Sequence, residues 1–352
     1  MYKIKTVERN IEKRMLLSIK RKRWLNSSHD RLNISNPDNL SINQKQAIKD
    51  YFSEYVAIND FSDHEFYTAC TGVFHANYIP DWFFYTVVDP FFNDWEKARI
   101  VDNKCFYEMM FPNCKQPYCI AFRINGIWFS HARSVISYQD VLTLIEAEKE
   151  AVFIKVACES NGGHGVYRVT GEDPQIYINK ICGDVVIQRA LKQSEILNRL
   201  NHTSVNTVRV LSLLSEGGVK IYSKILRCGI SGAFVDNASS GGVTIGITET
   251  GRLKEVAYDK YGKKYDVHPT TNLPFNTVVI PNIHMIDELV CRLHPLIPYF
   301  RMVSWDIAID DNNQPVLIEA NMMEGELDFH QLNNGPLFGA DTIDILRECL
   351  KG

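Results

Sequence analysis

Glycines that open a loop constrain a fold through the element that follows them. In this chain the segment SNGGHGV, residues 160–166, leaves one β-type stretch, VFIKVA, and runs straight into another, VYRV. Small residues let backbone N–H groups close around phosphate oxygens, which is why such loops recur at nucleotide sites. A P-loop and a dinucleotide-binding turn both need a helix after their glycines. A strand follows here, so both are excluded, and the look-alike GITETGR at 246–252 lacks the P-loop lysine. What remains is a glycine-rich connection between two strands.

From residue 100 onward the chain keeps this texture. Short β-type runs recur at Tyr118–Phe122, Ile127–Ser130, Val152–Ala157, Gly165–Val169, Val185–Gln188, Thr207–Leu214, Lys220–Leu226, Val303–Ile309 and Pro315–Glu319, with helix-like stretches such as Ser137–Lys149 between them. The pattern predicts a mixed α+β fold. Within it WDIAIDDNNQPVLIEAN reads as a hairpin that turns at Asp310–Gln314.

The first hundred residues differ. Ile4, Val7, Ile11, Met15 and Ile19 recur at helical spacing, with Lys5, Arg9, Lys13, Lys20, Arg21 and Arg23 around them. This is either a terminal helix docked on its own domain with a solvated basic face, or a basic amphipathic helix for an anionic membrane or a partner. Residues 27–48, rich in Ser, Asn and Asp, read as a loop leading into a helix capped by Ser41. The aromatic stretch Tyr78–Trp95 contains Pro80 and Pro90, which argue against one unbroken helix. Such a cluster is expected as the core of a small domain, with a partner or dimer contact as the alternative.

Composition narrows the class. Hydrophobic residues are 45% and charged residues 23% of the 352, values of an ordinary globular protein rather than a disordered one. No apolar run approaches the roughly 18–20 residues of a membrane span, and Met15–Ile19 is too short for a secretory signal. The nine cysteines show no CxxC spacing, and Cys114 with Cys119 lacks the second pair of a zinc site. Reduced thiols in the cytoplasm, mostly as small core residues, are expected. The net charge is −4, and the basic excess is confined to Lys3–Lys49 without a recognition motif, so a nucleic-acid partner is excluded.

Three groups of residues stand out chemically. Asp306 on one strand of the hairpin, with Glu319 and Asn321 at the end of the next, offers hard oxygen donors of the kind that suit Mg²⁺ with nucleotide phosphates. The plain alternative is a solvated hairpin edge, but IEAN follows directly on the apolar PVLI. Lys155 lies inside an apolar strand, where an ammonium is costly unless an anion meets it. Arg209 and Arg227 sit in or beside strands in the same way, and Lys104 in VDNKCFYEMMF is a weaker candidate.

Taken in order, DNK, IKVACESNGGHG, VVIQRAL, TVRV, LRCG with VDN, WDIAI and LIEAN resemble the ATP-grasp superfamily, and within it the sugar-transfer and capsule-associated branch. The resemblance covers about residues 98–335, and its specificity lies in the order of seven elements that are each weak alone. It implies an ATP-grasp fold of two α+β subdomains, a lid subdomain at 98–190 and a larger C-terminal one at 191–352, after a mostly helical region at 1–97. It also implies Lys104 and Lys155 as phosphate-binding lysines and Gly162, Gly163, His164 and Gly165 as a mobile lid. Gln188, Arg189, Ala190 and Leu191 become the hinge that reads the adenine edge, and Glu195 the acceptor from the ribose. Arg209 is expected on the γ-phosphate or acyl-phosphate, and Arg227 with Asn237 on the phosphate or the acceptor. Asp306, Glu319 and Asn321 match the Mg²⁺ triad, expected to hold two ions, with Mn²⁺ as an alternative.

The activity so implied is ATP-dependent ligation of a carboxylate to an amine through an acyl-phosphate, on sugar-linked or amino-acid substrates of surface polysaccharide synthesis. The alternatives are a phosphotransferase on a hydroxyl and a nucleotide-binding module without chemistry. His164, His268 and Asp328 are candidates for handling the acceptor, each weighed against a structural role. Three departures stand out, one being that the N-terminal hundred residues do not match the α/β domain that usually precedes this fold. Ser304 replaces the arginine that many amino-acid ligases carry two residues before the first metal acid, which passes the oxyanion role to Arg209 or Arg227, and Gln188 stands where an acid is common.

Overall fold

The computed structural model describes residues 2–35, 39–158, 165–230 and 241–351, and the side chains among them except those of 2–13, 35, 99, 100 and 351. The chain divides into two compact units, one of Met1–Asp94, Tyr258–Lys264 and Glu324–Gly352, the other of Trp95–Ala257 and Tyr265–Met323.

The first unit is helical. Helix α1, Tyr2–Ser35, is followed by α2, Ile42–Phe52, and α3, Ser62–Thr71. Ser41 caps α2, its hydroxyl accepting from Gln44 N–H. The loop expected from residue 27 begins only after Ser35, because tertiary contacts override the weak propensities of Ser, Asn and Asp. The Ser28 hydroxyl donates back to Trp24 O at 3.0 Å, and the buried Arg31 guanidinium reaches Asp63 at 3.0 Å, Asp81 at 2.5 Å and Asp328 at 2.9 Å. Downstream, Asp81–Phe92 stays helical past Pro90, with a π-type widening at Phe84–Val88 where the lost N–H is absorbed. Tyr78, Trp82, Phe83, Phe84, Tyr85 and Phe92 are all buried. The aromatic stretch is therefore core, each side chain contributing on the order of 1.5–3 kcal/mol by burial.

The second unit holds two antiparallel sheets. Strands β1 (Cys119–Ile124), β2 (Ile127–Ser130), β3 (Val152–Val156), β4 (Val166–Val169) and β5 (Val185–Arg189) pair in the order β2-β1-β5-β3-β4. The helix Tyr138–Glu146, closed at its start by a Ser137–Asp140 capping box, lays Val141, Leu142 and Ile145 on Ile154 and Ile187. The larger sheet runs β10-β9-β8-β7-β6-β11-β12. Its strands are β6 (Thr207–Ser215), β7 (Gly218–Cys228), β8 (Val243–Ile247), β9 (Leu253–Tyr258), β10 (Lys264–Tyr265), β11 (Met302–Ile309) and β12 (Pro315–Asn321). One face packs Val208, Val210, Trp305 and Ile307 against Ile286, Leu289, Val290 and Leu293 of the helix Ile283–Leu293. The other face carries Arg209, Arg227 and Asp306 among apolar residues such as Leu211 and Ile225.

All nine cysteines are free thiols, five of them buried. Among the described residues no helix is long and apolar enough to cross a membrane.

Candidate active site

On this other face of the large sheet, Asp306 of β11 lies level with Arg209 of β6 on one side and Glu319 of β12 on the other. Residues directly opposite share a face, so the cation and the two acids stand in one row. A bulge in β12 makes this possible. Leu317 is level with Ile307, yet Glu319 rather than Ile318 is level with Asp306. A strict ladder would have set Ile318 there and turned Glu319 toward the core. Arg227 of β7 is level with Thr207, two residues along from Arg209, and so joins the same face.

The contacts are short. Arg209 holds Asp306 with both arms of its fork, Nε to Oδ1 at 2.8 Å and Nη2 to Oδ2 at 2.6 Å, and Arg227 Nη1 donates to Oδ2 at 3.1 Å. The Asn321 amide donates to Ser304 O at 3.1 Å and to Asp306 Oδ2 at 3.3 Å. Burial pushes the Asp306 carboxyl up, but Arg209 and Arg227 outweigh it and hold the group at about 2. It is a permanent anion. Two residues before Asp306 stands the buried Ser304, and the guanidiniums at this carboxylate come from β6 and β7.

Lys104 enters from a short turn, Lys104–Phe106, capped by the Asn103 side chain, and its Nζ donates to Glu319 Oε1 at 2.6 Å. Burial works against the ammonium, while the Glu319 charge raises its pKa above the ordinary lysine value. The turn is tied to the small sheet by Lys104 N–H on Ala157 O at 3.0 Å and by Asn103 on Asp184 at 2.8 Å. On that sheet Lys155 is level with Val186 and Phe153 with Gln188, and Lys155 Nζ donates to Gln188 Oε1 at 3.0 Å. Phe153, Lys155 and Gln188 are partly exposed, whereas Ile154 and Ile187 face the helix and are buried. Gly165 follows at φ +72°, where a Cβ would also sit 3.0 Å from Val156 Cγ1, so only glycine fits. Gly162, Gly163, His164 and Asn237 lie outside the described residues.

In the hinge, the amides of Arg189 and Ala190 are committed to Tyr118 O and Ala151 O, while Leu191 N–H has no acceptor among the described residues. The Arg189 side chain pairs with Glu148 through two 2.8 Å bonds and lies over the Tyr118 ring. Glu195 is exposed and lines a cavity of about 330 Å³ with Ile196, Arg199, Val279, Pro281 and Asn313, none of the four site cations among its walls. His268 is committed locally. Its Nε2 donates to Gly229 O at 3.0 Å, its Nδ1 accepts from Thr270 and Thr271 N–H at 3.3 Å, and burial lowers its pKa. It ties a loop together with both nitrogens spent. Asp328 belongs to the Arg31 cluster of the helical unit.

Two supporting residues escape sequence reasoning. The buried Tyr107 hydroxyl accepts from Ala320 N–H at 3.2 Å and donates to Ala320 O at 3.3 Å, fixing β12 beside Glu319. Asp184 anchors the turn that carries Lys104. A lone Tyr and a lone Asp carry no motif, so only geometry finds them.

Among the described residues no group of three or more His, Cys, Asp or Glu side chains is placed to hold a metal ion. Asp306, Glu319 and Asn321 form a donor set of two carboxylates and an amide in neighbouring register positions, and its all-oxygen chemistry fits a hard divalent cation. Lys104, Arg209 and Arg227 are bonded to these two carboxylates, and cationic donors of this kind bind polyphosphates.

The profile described as sugar-transfer associated ATP-grasp matches residues 164–341. No curated protein matches the chain. Among solved structures the chain is similar to the VanG D-Ala:D-Ser ligase of Enterococcus faecalis, with 11% identity, 71% of this chain and 61% of that one covered, and a TM-score of 0.42. It is also similar to D-alanyl-alanine synthetase A of Vibrio cholerae, with 14% identity, coverages of 71% and 63%, and a TM-score of 0.40. A third is the ATP-grasp ligase PsnB complexed with minimal precursor, with 10% identity, coverages of 73% and 64%, and a TM-score of 0.41. The chain spans under two thirds of the length of each.

Proposed function

The chain belongs to the sugar-transfer associated ATP-grasp family, and from that premise we propose that it is an ATP-dependent carboxylate–amine ligase. It forms an amide through an acyl-phosphate, joining an amino acid or amine to a sugar acid in surface polysaccharide synthesis. The observation that supports this best is the row Arg209–Asp306–Glu319 on one sheet face, with Arg227 and Lys104 bonded into it.

Lys104, Lys155, Arg209 and Arg227 neutralise the triphosphate, and until it arrives Glu319 holds Lys104, Gln188 holds Lys155 and Asp306 holds the two arginines. The adenine edge is read at the Leu191 amide and the neighbouring hinge carbonyls. A substrate carboxylate oxygen attacks the γ-phosphorus in line as the bond to ADP breaks, a transfer that needs positioning and charge more than a protein nucleophile. Arg209 and Arg227 take up the charge of the transferred phosphoryl group. The amine then attacks the acyl carbon, phosphate leaves with the electron pair, and the amine's surplus proton passes to the departing phosphate or to water. A divalent cation held by Asp306, Glu319 and Asn321 would supply further neutralisation of the phosphates.

The test is ADP and phosphate release with Mg²⁺-ATP against a panel of uronic acids and amino acids, with Glu319→Ala as control. The ligase gives both products and an amide, needs both partners and falls silent in the variant. Substrate-dependent ADP without free phosphate would make the protein a kinase and overturn the reading.

A further inference from the structure

Helix α1 has two different sides. Toward the helical unit it gives Trp24, stacked on Tyr85 with ring centroids 3.8 Å apart, the buried Ser28 and Arg31, and Lys20, which donates to Glu324 at 2.9 Å. Arg21 lies over the Trp82 ring at 4.0 Å. One turn earlier the helix turns apolar side chains outward, with Met15 61% exposed, Leu16 50% and Ile19 65%. Arg14 and Lys22 are exposed beside them, as is Arg23, which also reaches Glu324 at 3.9 Å. Three large apolar side chains within five residues, flanked by cations, are more than the scattered exposure of an ordinary surface.

The charge is as uneven as the exposure. Residues 3–23 carry nine Lys and Arg against Glu8 and Glu12 alone, in a chain whose formal net charge is −4. A surface that complements Met15, Leu16 and Ile19 with the exposed Arg14 and Lys22 must be anionic outside and apolar just beneath. A phospholipid headgroup layer is both, since cations meet the phosphates while the side chains between them sink to the acyl boundary. An acidic protein surface supplies the charge but leaves Met15, Leu16 and Ile19 facing polar groups. We propose that the Arg14–Arg23 segment of α1 docks the protein on the surface of an anionic bilayer, lying in the interface rather than spanning it.

The test is co-flotation of the full-length protein with vesicles of phosphatidylcholine alone and of phosphatidylcholine mixed with phosphatidylglycerol. The expected result is binding at least about tenfold tighter to the anionic vesicles, weakened by salt. Two surface variants follow, Met15→Ser/Leu16→Ser/Ile19→Ser and Arg14→Glu/Lys22→Glu, each checked for an unchanged thermal melt. Both should lose binding, the first because insertion is gone and the second because attraction is reversed. Absence of binding to anionic vesicles at low salt overturns the proposal. So does undiminished binding of the serine variant, and so does equally tight binding of the wild-type protein to polyglutamate, which would put an acidic protein on this face instead.

Discussion

Asp306 receives two guanidiniums and an amide, so its charge is part of the packing as well as of the proposed chemistry. Asp306→Asn leaves Arg209 and Arg227 buried against a neutral group, and removing one partner of a buried ion pair costs about 3–5 kcal/mol. Urea unfolding should show a loss of that size. On the opposite face His294 is held neutral by a chain of bonds. Trp305 Nε1–H donates to Ser212 Oγ at 2.9 Å, the Ser212 hydroxyl donates to His294 Nδ1 at 2.8 Å, and Nε2–H donates to Phe300 O at 2.9 Å. Burial brings its pKa down to about 4. An unfolded histidine binds its proton near 6.5, so the unfolded state gains protons first as the solution is acidified. The stability from neutral His294 is complete above about pH 6.5 and is lost as pH falls through about 4. Thermal melts between pH 7 and pH 4 should show this slope reduced in His294→Gln.

Among elements, the turn between β8 and β9 is the most tightly specified. Gly251 has φ +82°, and a Cβ there would stand 2.7 Å from the Ile280 carbonyl oxygen. Gly251→Ala meets both obstacles, and a loss of about 1–3 kcal/mol is expected in denaturant unfolding. Ser137→Ala, which removes the capping hydroxyl of the helix Tyr138–Glu146, should cost about 1 kcal/mol in the same measurement. Elements with strong side-chain periodicity were legible in the sequence. The strands around the glycine-rich loop and the Asp310–Gln314 hairpin fall within a residue or two of where alternation and turn chemistry put them. Strands β8, β9 and β10 were not, because VTIGI lacks alternation and β10 is only two residues long. The bulge at Ile318 was equally hidden, since nothing in PVLIEAN marks where one residue falls out of register. For the candidate site, residue types were readable but partners were not. That Asp306 binds Arg209 and Glu319 binds Lys104 depends on strand order and on a turn from another sheet, neither of which is local information.

At the scale of the whole molecule, the raised carboxylates of the helical unit respond to pH with the opposite sign to His294. In the helical unit one guanidinium, Arg31, serves Asp63, Asp81 and Asp328. Burial, and then the neighbouring Asp81 charge, pushes Asp63 above the ordinary carboxylate range, and burial does the same for Asp328 against the pull of Arg31. The folded unit thus holds protons that the unfolded chain has already released, and this contribution fades as pH rises from the ordinary carboxylate range through the raised values. Asp63→Asn should flatten that decline, seen as melts whose midpoint changes less between pH 5 and pH 8 than in the wild type. The same cluster joins distant parts of the chain, for Asp328 lies in the helix Leu327–Asn334 and Arg31 in the first helix. During synthesis the N-terminal helices leave the ribosome long before their last partner has been made. Tyr67, Tyr78, Phe83 and Tyr85 must wait, with Arg31 one carboxylate short, while the whole sheet-bearing unit is translated. The aromatic core of the helical unit is therefore finished only after the sheet-bearing unit between its parts has been made.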